Sequence, residues 1–197
     1  SSDVCSSDLR RAVITDVAMG DDGAAGDAVP GDGVYAATIP APGVAKLVAF
    51  TVEARDLAAS PCTAVYPPGA TKRECLVRFG DGSPSGAFGT YRLWVTQANS
   101  DAWKNRPVLS NEPVESTFVY GNSRAIYNSG SRFAGSPYHQ GFTSGPASDA
   151  HFVVEFPKDD RLLGASAFNK LHAPGNGPFD DTLLQREQAV FWMARHS

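Results

Sequence analysis

The chain has 197 residues, with 17 Lys and Arg against 21 Asp and Glu and a net charge of −4. At 42% hydrophobic and 19% charged it is neither a disordered acidic tail nor a highly charged coiled coil, and its acidic balance excludes a basic nucleic-acid-binding domain. No apolar run nears the roughly 20 residues that a membrane span needs, while 19 Gly and 14 Pro point to many turns and short strands.

Residues 1–9 form a polar near-repeat, Ser-Ser-Asp twice, with no hydrophobic period. They lack the charged start and apolar stretch of a signal peptide and are read as a non-native or disordered leader. The chain stops at Arg195-His196-Ser197, inside an apparent helix with no Gly or Pro stop signal. It is therefore expected to be a fragment of a longer protein.

Residues 10–80 read as a partial antiparallel β-sandwich. Asp-Gly turns cluster at Gly20-Asp21-Asp22-Gly23, Gly26-Asp27 and Gly31-Asp32-Gly33, where glycine supplies positive φ at low steric cost. Strands are expected at Val34–Ile39, Leu47–Ala54 and Glu74–Phe79, the second an eight-residue run between breakers. The four aspartates Asp21, Asp22, Asp27 and Asp32 belong first to turn chemistry. Their alternative role is as oxygen ligands of a structural Ca2+ near Asp22, Asp27 and Asp32, although EF-hand spacing is absent. Cys62 and Cys75 flank Pro67-Pro68-Gly69. Either a disulfide clips this loop, for about 3 kcal/mol in the chain-entropy picture, or both thiols are free.

Residues 81–89 have the Gly, Ser and Pro composition of a linker. Residues 90–197 then read as a mixed sheet with helices. Tyr91–Val95 alternates as a strand, and Thr96 or Asn99 caps a short helix that carries Trp103 and ends before Pro107. Ser116–Tyr120 and Arg124–Asn128 pair as a hairpin around Gly121-Asn122-Ser123. His151–Phe156 is a further strand, with Phe152, Val154 and Phe156 on one face. A final helix opens with the capping box Thr182 to Gln185, behind Asp180 and Asp181. Its apolar stripe of Leu183, Val190, Met193 and Ala194 needs a sheet to cover.

The first segment, with Asp-Asp-Gly, Gly-Asp-Gly-Val-Tyr and the strand ending Val52-Glu53-Ala54-Arg55-Asp56, resembles bacterial immunoglobulin-like (Ig-like) modules of extracellular multidomain proteins. In the second segment three blocks resemble the spore-coat kinase (CotH) family in its secreted multidomain form. They are Tyr91-Arg92-Leu93-Trp94 through Arg106-Pro107 and Ser110-Asn111; Val114 through Arg124 and Tyr127, with Gly135-Ser136-Pro137-Tyr138; and Phe156-Pro157-Lys158-Asp159-Asp160-Arg161-Leu162-Leu163-Gly164, with Leu183 through Gln188 and Phe191-Trp192.

The resemblance implies a β-rich α+β chain. A partial Ig-like sandwich is followed by an incomplete sheet-plus-helix lobe of an atypical kinase fold. It implies a bacterial, secreted or cell-surface Ser/Thr protein kinase that uses ATP with Mg2+ or Mn2+ on protein substrates or surface proteins. The family's acidic metal and base residues lie further downstream, so this piece is expected to be inactive alone. The cofactor-binding candidates are Arg132, in a Gly130–Ser136 run expected to be a nucleotide-covering loop, and Glu187, which would orient a cationic partner from the last helix. The family's lysines are missing from His151–Phe156. The alternative is a non-catalytic adhesion or scaffold module with a degenerate kinase-like region.

Other chemistries find no pattern. The 4 His form no zinc or H-E-x-x-H arrangement, and no G-x-S-x-G elbow or Walker motif occurs. Asp159-Asp160-Arg161 reads as a turn with a local charge pair. Trp94, Trp103 and Trp192 read as core or interface anchors.

Overall fold

The computed structural model describes residues 15–69, 73–82, 90–107, 110–121, 123–134, 152–170 and 193. Strands dominate: β1 (Leu47–Phe50), β2 (Val52–Arg55), β3 (Thr63–Tyr66), β4 (Cys75–Arg78), β5 (Tyr91–Trp94), β6 (Val114–Tyr120), β7 (Arg124–Phe133), β8 (Phe152–Glu155) and β9 (Ala167–Lys170). One helix, α1 (Gln97–Lys104), lies between β5 and β6. No helix among the described residues is long and apolar enough to cross a membrane.

The larger sheet is an antiparallel meander in the order β5-β6-β7-β8-β9. Its helix starts where the sequence placed it: Thr96 is extended, and its Oγ1 accepts from the Asn99 N–H at 3.1 Å. The core gathers on one face around Trp103, Phe118, Ile126, Phe133, Phe152, Val154 and Phe156. Phe152, Val154 and Phe156 do share that face.

The sheet curls into a half-barrel. The rings of Tyr91 on β5 and Phe168 on β9 lie 4.6 Å apart by centroid, although their strands are opposite edges. In a flat sheet four strand spacings would separate them by about 19 Å. Phe118 sits between the rims, 5.9 Å from Tyr91 and 5.1 Å from Phe168.

Several expected elements come out differently. The run from Leu47 to Ala54 breaks at Thr51: β1 pairs with β4 while β2 pairs with β3, each as a two-stranded antiparallel ribbon. Val34–Ile39 is not a strand; only an isolated bridge joins Ala36 to Gly20. The Gly130–Ser136 loop is corrected as far as Phe133. Residues 130–133 complete β7 and pair with β8, Arg132 opposite Val153. Between Ser116 and Phe118 the ladder shifts, so that two β7 residues face Thr117 alone. Asn128 in this bulge takes φ 56°. The charge pair of Asp160 is long-range and not local: its partner is Arg124 at the start of β7. The linker from 83 to 89 and the capping-box helix, apart from Met193, lie outside the described residues.

Side chains tie β4 to the larger sheet. Thr117 Oγ1 accepts from the Leu76 N–H at 3.2 Å, and Glu115 Oε1 from the Glu74 N–H at 3.1 Å. Phe50 meets Tyr127 edge-on at 5.5 Å.

Candidate functional site

Three places hold the chain's chemistry. The first surrounds Arg132. Its strand position sets it diagonally across from Glu155 on β8, within reach of a long side chain. Arg132 Nε donates to Glu155 Oε1 at 2.8 Å, and Nη1 donates to the Phe133 carbonyl at 3.3 Å. The Asn111 amide, oriented to satisfy both its ends, accepts from Arg132 Nη1 at 3.1 Å and donates to the Phe133 carbonyl at 3.2 Å. The guanidinium is thus committed to protein acceptors in the strand register. Glu187 lies outside the described residues.

The second place is the loop from Gly20 to Ala36. One carboxylate oxygen each from Asp21, Asp27 and Asp32 lies within 4.8 Å of the others, a grouping that could hold a cation. Asp22 is not in it; its Oδ1 accepts from the Ala24 N–H at 3.0 Å. The grouped carboxylates are themselves occupied by backbone. Asp21 accepts from the N–H groups of Gly31, Asp32 and Gly33, using three of about four lone-pair sites. Asp27, 7% exposed, accepts from Gly23 at 2.6 Å and Val29 at 3.1 Å. Asp32 accepts from Val34 at 2.8 Å. Turn chemistry explains every one of these positions. Asp27→Asn, which trades one strong acceptor for a donor, should cost about 1 kcal/mol. The loss in a urea titration should be the same with millimolar Ca2+ or with a chelator; a loss that grows in Ca2+ would make the cluster a cation site.

The third place is a cleft of about 650 Å3 walled by α1, β6, β7 and the approach to β4. Arg73, Arg106, Glu112 and Glu115 line it, together with Asn99, Asn105 and Asn128. Burial pushes the Glu115 carboxyl up to about 7, against the opposing pull of the Glu74 N–H and the Arg73 charge. Arg106 lies over two aromatic faces, its Cζ 5.8 Å from the Trp103 ring centre and 5.4 Å from that of Phe133. Burial lowers its pKa, with Glu112 acting in the other direction. Its Nε donates to the Trp103 carbonyl at 3.2 Å, whereas Nη1 is buried with no hydrogen-bond partner among the described residues.

Among the described residues Cys62 and Cys75 are free thiols, Cys62 exposed and Cys75 buried. Burial, helped by the Glu115 charge, pushes the Cys75 thiol up to about 12, so it is no nucleophile at neutral pH.

The sequence reading missed this cleft. Its residues come from four separated stretches, and none forms a motif. The available signal was Glu115, a lone carboxylate at the head of an otherwise apolar and hydroxyl-bearing strand. No protein-family model matches the chain, and neither a curated protein nor a solved structure matches it at a significant level.

Proposed function

We propose that the chain belongs to a secreted or cell-surface CotH-like protein in which the strand-rich part described here is a non-catalytic adhesion or scaffold module. The observation that carries this reading is Arg132. The residue best placed by sequence to meet a phosphate is held in strand β7 by Glu155 and Asn111. Freeing it for a nucleotide would leave the Glu155 carboxylate without its cation and break a half-exposed ion pair worth up to about 1 kcal/mol.

A second reading keeps a Ser/Thr protein kinase that uses ATP with Mg2+ or Mn2+. It is supported by the antiparallel meander with α1 beside it, a sheet-plus-helix arrangement of the kind the resemblance implies. Thermal unfolding separates the two. A ligand that binds only the folded state at a hundredfold its Kd stabilises by about 2.7 kcal/mol. With saturating ATP and Mg2+ or Mn2+ the scaffold reading expects an unchanged Tm. A metal-dependent rise of several degrees would replace it with the kinase.

A further inference from the structure

We propose that the cleft between α1, β6 and the approach to β4 binds a small zwitterion, a free amino acid or a short peptide with unblocked ends. Its carboxylate would lie on Arg106 and its ammonium group against Glu112 and Glu115.

The cleft has the size of a small-molecule site, about 650 Å3 within the usual range of roughly 300–1,000 Å3. Its charged lining is balanced, with Arg73 and Arg106 against Glu112 and Glu115. A ligand of one sign must meet like charge somewhere on such a wall, whereas a ligand carrying both signs meets a partner for each. Arg106 is built as an anion holder. Its Cζ lies over the rings of Trp103 and Phe133, and its Nη1 is buried with no hydrogen-bond partner among the described residues. Buried donors of this kind are rare, and each one calls for an explanation. The flanking amides are half used. Asn99 Nδ2 donates to the Glu115 carbonyl, leaving Oδ1 to accept. Asn128 Oδ1 accepts from Arg73, leaving Nδ2 to donate. A peptide backbone supplies both complements.

The test is an NMR titration of the full chain with alanylalanine, N-acetyl-alanylalanine, alanylalanine amide and alanine. The free dipeptide or the free amino acid should shift the amide signals of Asn99, Arg106, Glu112 and Asn128. Blocking either end should weaken binding by about tenfold or more; the tighter of the two unblocked probes identifies the source. Arg106 packs on the core, so Arg106→Lys is paired with Glu112→Gln at an exposed position. Glu112→Gln should keep the native melting temperature and weaken the free dipeptide about tenfold, with no further effect on the N-acetylated probe. Equal binding of blocked and unblocked probes, no shifts at millimolar concentrations, or an unaltered Glu112→Gln would overturn the proposal.

Discussion

Trp103→Ala should cost about 3–5 kcal/mol, the range for removing a large aromatic from a core that collapses only partly around the gap. Trp103 is 0% exposed and meets Phe133 and Phe152 edge-on, at 5.5 Å and 6.0 Å between ring centres. It is also the large buried side chain by which α1 packs on the sheet, beside the bond from Asn99 to the Glu115 carbonyl. The loss compares with a total stability of about 5–15 kcal/mol for ordinary domains. A urea titration followed by circular dichroism should show a large fall in midpoint or no cooperative transition at all. Leu163→Ala is the control: at 93% exposure it buries nothing and should leave the midpoint in place. A Trp103→Ala midpoint close to the native one would mean that α1 does not brace the sheet.

Stability should fall as pH rises from 4.5 to about 7, and Glu115 should account for much of the slope. Burial in the fold raises this carboxyl from 4.5 to about 7. Across that window the folded state therefore binds more protons than the unfolded one, and by linkage stability drops with rising pH until the folded group has ionised. The shift corresponds to about 3 kcal/mol at most, and about half of that once partial exposure to solvent is allowed for. Glu115→Gln keeps an oxygen to accept from the Glu74 N–H but cannot ionise. Its stability should be flatter than that of the native chain by about 1.5 kcal/mol between pH 5 and pH 8, read from urea midpoints. Equal slopes would show that Glu115 is well solvated and that β4 docks without regard to its charge.

The sequence revealed the parts of the larger sheet whose local pattern and tertiary role agree. Thr96 capped its helix, and the alternation of Phe152, Val154 and Phe156 marked their shared face. The misses arise where pairing overrides pattern. Thr51 sits in an unbroken β-rich run, yet the chain changes partners there, and composition holds no trace of which strand each half will meet. Gly130 to Phe133 looked like a loop because it is rich in glycine and serine. The serines are in fact buried and bond one another, Ser116 Oγ lying 2.6 Å from Ser131 Oγ and 3.2 Å from the Ser129 carbonyl. Strand β9 has one large apolar residue, Phe168, and exists because β8 offers an edge in register with it. Arg132 lies on a strand and pairs with Glu155, a partner that only register could supply.

The ring contact of Tyr91 with Phe168 across opposite rims has a mechanical consequence. A curled sheet whose two edge strands meet through side-chain rings resists flattening, because opening it would part Tyr91 from Phe168. Its hollow is already filled by Phe118 and Phe156. The β4 ribbon and the short helix are fastened to it by hydrogen bonds together with buried side chains, Leu76 and Trp103.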